Sequence, residues 1–553
     1  MFRTLRTRAA AVVAIAVVMG VAACTPPPDS SGSPSPTTGS SGSTSTGADG
    51  SNATINVWMS QKPDSMSPLT PASYGNASVY EITQDVLAAP DNDGKLVPRV
   101  AESWQMADDA KTLTIKLATQ KWSDGQEMTA DDVVFSLNLY GNPDVKAPVG
   151  TIMSPIVGYD DYAAGKADSI SGVKKVDDRT VTISLKEPNS NFTYQFFGAQ
   201  FYVLPKHTLE NEDMTKVATS SIWTTPGKVP GLGPVVLTGY QQDQRVEFER
   251  NDNYRKPVKF KKLVQSMVTQ DVATQQLASG EIDLTSVLPT DIKTVEGMKG
   301  VKTVEVLSTG FDRYSMPQTK DYLKNPKVRQ GLLTAIDRAG IIASIYGGAA
   351  EPQNSAFLAS YITTDGFNTY EHDPAKAKQL LTEGGWDFNR ELKIYQASGN
   401  AQREAVNAVV LQNFKEVGVK AKIVPYDQAQ GTDVLTKKDY DMMLFGGGNY
   451  LIDASQDGPI LSCATAFPAG ANLPGYCNPE LDKAMTEASK TADEAKRAEF
   501  FNQAAKLENN DVSYVWIARP KRVYAFSSKL GNVTPGEGLP DALRWMENWT
   551  VNG

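Results

Sequence analysis

Histidine and cysteine are scarce. The 553-residue chain has two histidines, His207 and His372, and three cysteines, Cys24, Cys463 and Cys477. Zinc sites lean on those two residue types, so no resident metal or other cofactor is expected. A Ser-His-Asp triad has little material to draw on. No Gly-x-Ser-x-Gly elbow occurs in the body of the chain, and no Gly-rich loop ends in Lys-Ser/Thr. Gly231-Leu-Gly233 lacks the third glycine of a dinucleotide fingerprint. Basic residues are outnumbered, 54 against 63 acids, for a net charge of −9. That excess argues against nucleic acid as a partner, because phosphate backbones are held by basic groups. What is plentiful is apolar material, 41% of the chain, enough for a sizeable core.

The first residues read as an address. MFRTLRTRAAAVVAIAVVMGVAAC places Arg3, Arg6 and Arg8 before an apolar run from Ala9 to Ala23. The run is shorter than the ~20 residues a spanning helix needs, and its layout is that of a secretory signal. Val21-Ala22-Ala23-Cys24 resembles a bacterial lipobox, which implies a signal peptide over 1–23 and lipidation of Cys24. Residues 24–52 are Pro, Ser, Thr and Gly with almost nothing to bury, so they read as a flexible tether. Anchor and tether together place a folded body at the extracellular face of the cell membrane. Export permits disulfides, and Cys463 and Cys477 lie 14 apart in a Gly/Pro/Asn-rich stretch. A bridge between them is expected.

From Thr54 onward, strand-like and helix-like segments alternate. Ile55, Val57 and Met59 share one face, as do the alternating residues of Leu113–Leu117 and Val181–Leu185. Asp177-Asp178 marks a turn inside Val173–Leu185, which reads as a strand pair. Thr129 and the acids after it cap the run VVFSLNL, and Asp373-Pro374 is an N-cap and first-turn pair. Val406, Val409, Val410, Phe414 and Val417 form a helical stripe that Gly418 ends, and the strand Val419–Val424 follows. Helices are expected over Pro479–Lys490 and Asp493–Glu508, then a strand over Tyr514–Ala518. Such units indicate an α/β fold. Gly446-Gly447-Gly448 follows the apolar Met442–Phe445 and reads either as a plain turn or as backbone that lets a ligand approach closely. The acid pairs Asp108-Asp109, Asp131-Asp132, Asp160-Asp161 and Asp177-Asp178 read as turn and cap residues. Glycosidase chemistry needs two carboxyls facing one bond.

Ten segments, in order along the body, carry a resemblance. They include LVPRVAESWQMADDAKTLTIKL (96–117), KWSDGQEMTADDVVFSLNL (121–139), VKKVDDRTVTISLKEP (173–188) and VLPKH (203–207). GLGPVV (231–236) with VEFERNDNY (246–254) and SGEIDL (279–284) follow. NPKVRQGLLTAIDRAGIIASIYGG (325–348), HDPAKAKQLLTEGGW (372–386), YDMMLFGGG (440–448) and YCNPELD (476–482) complete the set. Together they resemble the extracellular solute-binding proteins of the oligopeptide/dipeptide-binding class, family 5, the capture components of ABC importers.

The resemblance implies a two-lobed periplasmic-binding-protein-like α/β fold with an extra mixed α/β domain on lobe I. Lobe I would comprise 53–90, 206–306 and 521–553, the extra domain 91–205, and lobe II 307–520. It implies a binding protein and not an enzyme, a monomer that closes on a small-molecule ligand and hands it to a membrane ABC permease. Peptide binders of the family hold peptide as an added strand, so Met59, Ser60 and Tyr74 on one lobe and Gly446, Gly447, Gly448 and Asn449 on the other are candidate contacts. Where the family carries a tryptophan this chain has a glycine. Tyr450 stands nearest the usual ammonium-binding aspartate, and Asp453 is the remaining candidate. The alternative ligand is an oligosaccharide, stacked on aromatics such as Trp58, Tyr74, Trp122, Tyr450 or Trp516. A nickel or peptide-signal receptor is a further alternative.

Overall fold

The structure is a computed structural model, and it describes residues 52–71, 73–91, 95–427, 430–448, 453–535 and 543–552. Cys24 with the leader and most of the tether, and Asn449 and Tyr450, lie outside these residues.

Thr54–Trp58 forms a strand because Ile55 and Val57 alternate inward, and it pairs in parallel with Lys262–Ser266. Both belong to a twelve-stranded sheet. One half of the sheet runs Val235–Gln241, Arg245–Arg250, Lys262–Ser266, Thr54–Trp58, Leu284–Val287. The other half runs Gly310–Ser315, Met442–Gly448, Glu391–Ala397, Lys420–Tyr426. A single long strand, Val515–Ser527, joins them. Its first residues pair with Gly310–Ser315 and Ala350–Pro352, its last with Leu284–Val287 and Val301–Leu307.

The chain crosses between the halves twice, side by side. Only Ser308 and Thr309 separate Val301–Leu307 from Gly310–Ser315. The Ser308 amide donates to the Pro520 carbonyl at 2.9 Å, and Leu307 lies opposite Lys521. In the long strand the flanking blocks are buried while Arg519–Arg522 is only half-buried. Sequence reasoning expects a strand that stops at Ala518. The polar run Arg519-Pro520-Lys521-Arg522 conceals that it continues to Ser527.

The apolar cores divide in the same way. One contains Ile55, Val57, Phe248 and Leu263, and continues into Leu113, Ile115, Trp122, Val181 and Ile183. The latter belong with a separate four-stranded sheet, ordered Ala101–Met106, Thr112–Leu117, Thr180–Ser184, Val173–Asp177. Two others lie beyond the crossings, around Leu332, Leu392, Val410 and Phe414, and around Leu481, Phe501 and Trp516.

Local signals act as the residues dictate. Thr129 and Asp132 form a reciprocal capping box on the helix Ala130–Gly141. Asp373 caps Pro374–Glu383, and Asn478 caps Pro479–Lys490. The helix Ala401–Glu416 ends before Gly418, whose φ of 83° is left-handed. Acid pairs serve turns and surface ion pairs: Asp131 meets Lys175 at 2.7 Å, Asp160 meets Lys186 at 2.6 Å, and Asp177 accepts from the Arg179 amide at 2.8 Å. Cys463 and Cys477 are disulfide-bonded.

Candidate functional site

Three parallel-running segments end together at one edge of the first half-sheet. Trp58, Met59 and Ser60 continue the Thr54–Trp58 strand. Gln265 comes from its parallel neighbour, and Ser286 and Val287 from the next strand. In open α/β sheets ligands bind at such carboxyl ends. Here they line a cavity of about 470 Å³ that Tyr74 and Arg522 also border. The Arg522 guanidinium lies over the Tyr74 ring, 5.2 Å from its centroid. The walls mix uncharged hydrogen-bonding side chains such as Ser60, Gln265, Gln270 and Ser286 with apolar ones such as Met59, Val287 and Leu543. Gln265 is buried, and its amide nitrogen donates to the Ser78 carbonyl at 2.9 Å, while Oε1 has no partner. Gln270 donates to the Ser286 carbonyl at 2.5 Å.

Of the residues expected to contact ligand, Met59, Ser60 and Tyr74 therefore share one cavity. Gly446, Gly447 and Gly448 stand elsewhere, at the carboxyl end of Met442–Gly448. They are neither a turn nor slack backbone. All three are strand residues, paired in antiparallel register with Asp312, Phe311 and Gly310. Glycine is required by close approach: a Cβ on Gly448 would lie 2.5 Å from the Gly310 Cα. The three remain exposed, so this stretch of backbone is open to solvent.

Charged side chains flank that exposed strand. On the face of Gly446, Asp312 accepts from the Tyr346 hydroxyl at 2.6 Å, and Arg403 approaches to 3.7 Å. Burial raises the Asp312 carboxyl above its ordinary 3.8, against the opposing pull of Tyr346 and Arg403. Arg403 stands in the first turn of Ala401–Glu416, the helix after Glu391–Ala397. On the face of Gly447, Arg313 is buried among aromatic rings. Sequence reasoning passes over Asp312, Arg313, Arg403 and Gln265. The available signal was Asp312-Arg313 lying within an otherwise apolar strand.

Asp453 departs from its expected role as an ammonium acceptor. It is 4% exposed and caps Ala454–Asp457. Its Oδ1 accepts from Arg497 at 2.5 Å and from the Ser455 amide at 3.0 Å, and its Oδ2 from Arg497 at 3.0 Å and from the Tyr361 hydroxyl at 2.8 Å. Burial alone would lower the Arg497 pKa, but the Asp453 charge beside it raises it instead. Arg497 also donates to Asn191 at 2.9 Å and covers the Tyr194 ring at 4.3 Å. This carboxylate is a structural ion-pair member with its lone pairs in use.

The aromatic candidates divide. Trp122 and Trp516 are fully buried core residues, whereas Trp58 and Tyr74 line the cavity. His207 pairs with Asp124 at 3.0 Å, and His372 bonds the Ala335 carbonyl at 3.0 Å. Neither borders the cavity. Among the described residues no group of three His, Cys, Asp or Glu is arranged to hold a metal ion, and no helix is long and apolar enough to cross a membrane.

A half-sheet pair joined by two adjacent crossings, with a cavity at strand carboxyl ends, is the architecture of two-lobed solute receptors. The chain belongs to the bacterial extracellular solute-binding proteins, family 5, whose sequence profile matches residues 95–465. A Brucella melitensis protein named as an ABC transporter peptide-binding protein is 28% identical over 470 residues, 82% of this chain and 85% of that one. The oligopeptide-binding protein AppA of Bacillus subtilis is 27% identical over 453 residues, 78% of this chain and 79% of its own. Among solved structures, the ABC transporter substrate-binding protein CtaP of Listeria monocytogenes superposes with a TM-score of 0.77 at 26% identity, covering 91% of this chain and all of that one. The fold is thus the two-lobed α/β fold of this family with an extra mixed domain.

Proposed function

We propose that this protein captures short peptides between its lobes by hinge closure and delivers them to a membrane ABC permease. Lobe I is 53–90, 206–306 and 521–553, with 91–205 packed on it, and lobe II is 307–520. The hinge is the pair of crossings at 307–310 and 519–522. Lys521 there meets Glu305 at 3.2 Å and Glu351 at 3.9 Å, polar contacts that can be exchanged as the strands twist. The observation that carries the reading is the pairing of two edges. A cavity with amide and hydroxyl groups among its apolar walls ends three lobe I strands, and an exposed glycine backbone ends a lobe II strand. Main-chain groups of an extended peptide match both. The names of the similar proteins support peptide as the ligand class. Met59, Ser60, Tyr74 and Gly446–Gly448 are the proposed contacts, and a ligand engaging both sides favours the closed state. Lipidation at Cys24 holds the receptor at the outer membrane face.

Thermal-shift titration with di- to pentapeptides, cello- and xylo-oligosaccharides and nickel tests the ligand class. A peptide at a hundred times its Kd stabilises by about 2.7 kcal/mol, a rise of a few degrees. A shift with sugars or nickel and none with peptides overturns the reading. Cys24→Ser is expected to release the protein into the medium, as read by immunoblot of membrane and supernatant fractions. Full retention on cells contradicts the anchor.

A further inference from the structure

A guanidinium that the core satisfies only in part lies beneath the glycine strand. Arg313 is 6% exposed and enclosed by four rings, at 4.4 Å from Phe311, 4.6 Å from Phe445, 4.8 Å from Tyr514 and 5.5 Å from Trp516. The guanidinium has a side-chain hydrogen bond with Tyr514, but among the described residues its Nε and Nη1 have no partner. Cation–π contacts offset part of the cost of burying the charge, but they do not replace lost hydrogen bonds. Asp457 and Asp312 add attraction at a distance, and burial still pulls the Arg313 pKa below its ordinary value.

The cover over this group is Gly447. It is exposed, and its φ lies outside the left-handed region, so its backbone does not demand glycine. A Cβ built there would meet, within 4 Å, only Arg313 Nη1 at 3.9 Å and Nη2 at 4.0 Å. The missing side chain leaves a space floored by the edge of a guanidinium, beside backbone open to solvent. Neighbouring Gly448 is hemmed in by the Gly310 backbone and has a packing reason to be glycine, and a side chain on Gly446 would have to displace the tips of Arg403 and Asp312. Among the described residues Gly447 meets no such obstacle, and the space it leaves opens onto Arg313.

We propose that Arg313, reached past Gly447, is an anion-binding subsite that takes a carboxylate of the bound ligand. A carboxylate oxygen accepts from the guanidinium edge, completing its hydrogen bonds in a dry aromatic enclosure where a charge-assisted bond is strong. The carboxylate has two sources in a peptide, the chain terminus or an acidic side chain. The proposal rests on the peptide reading above.

The test is calorimetric titration of the intact protein with Ala-Ala-Ala, its C-terminal amide, and the amide of Ala-Glu-Ala. The wild-type protein is expected to bind at least one carboxylate-bearing peptide tenfold or more tighter than the Ala-Ala-Ala amide. Preference for the free acid assigns the terminus, and preference for the Glu peptide assigns the side chain. Arg313→Met is expected to abolish the preference. Gly447→Val, which the backbone accommodates and which fills the space while keeping Arg313, is expected to do the same with an unaltered circular dichroism spectrum. Equal wild-type affinity for all three peptides, or a preference that survives in folded Gly447→Val, overturns the subsite alone. Failure of every peptide to bind the wild-type protein overturns the peptide reading.

Discussion

Two buried carboxylates show how environment decides a residue's role. Asp453 sits against Arg497, and removing the arginine would strand a charge in the core, a loss of about 3–5 kcal/mol for buried pairs. Arg497→Met is therefore expected to lower unfolding free energy by about that much in urea melts. A loss under about 1 kcal/mol would show that Tyr361 and Ser455 hold the buried charge without Arg497. Glu508 is fully buried and accepts from Ser513, Trp516 and the Ala356 amide, yet burial dominates and raises its carboxyl above the ordinary 4.5. Its folded pKa is raised, so the unfolded chain gives up the proton first. The contribution of this group is full below about pH 4.5 and declines as pH rises toward the folded pKa. Glu508→Gln is expected to flatten the fall in stability above that pH, read from urea melts at several pH values. An unaltered slope would contradict the burial argument.

Element boundaries followed from residues whose chemistry is local. Thr129, Asp373 and Gly418 each satisfy or end a helix by themselves, so the sequence reveals them. What depends on partners far along the chain was hidden. Gly446–Gly448 read either as a turn or as backbone open to a ligand, and their place in a strand paired with Gly310 was hidden. The long strand through Pro520 read as ending at Ala518, because its polar middle is a crossing and not a loop. Asp453 looked available because Arg497 is 44 residues away. In the candidate site, Met59, Ser60 and Tyr74 were visible from the family pattern, whereas the sheet alone brings Gln265 to the cavity and Arg313 and Arg403 to the glycine strand. Gly448→Ala is expected to weaken the pairing with Gly310, lowering the thermal midpoint by several degrees. The 14-residue spacing of Cys463 and Cys477 gives their bridge about 3 kcal/mol by loop closure. Reduction, or replacement of both by serine, is expected to lower stability by about that amount in guanidinium melts, and an unaltered midpoint contradicts it.

At the scale of the molecule, the same division appears in three properties. The sheet changes partners at the crossings, the three largest apolar cores fall on one side of them or the other while a small fourth around Val295, Ala349 and Val523 adjoins them, and the crossing residues are polar and half-buried. In the proposed closure, apolar packing keeps each lobe rigid and the two short crossings carry the relative motion. The lobe II helix that bears Arg497 also reaches Asn191 and Tyr194 of the extra domain through polar contacts, which are easier to break and remake than a shared core. Closure on a ligand is the claim on which capture and delivery depend. Small-angle X-ray scattering of the protein, with and without saturating peptide identified by the thermal-shift screen, tests it most directly. The account predicts a smaller radius of gyration and a shorter maximum dimension in the bound state, and a scattering curve unaltered by a peptide shown by calorimetry to be bound would contradict it.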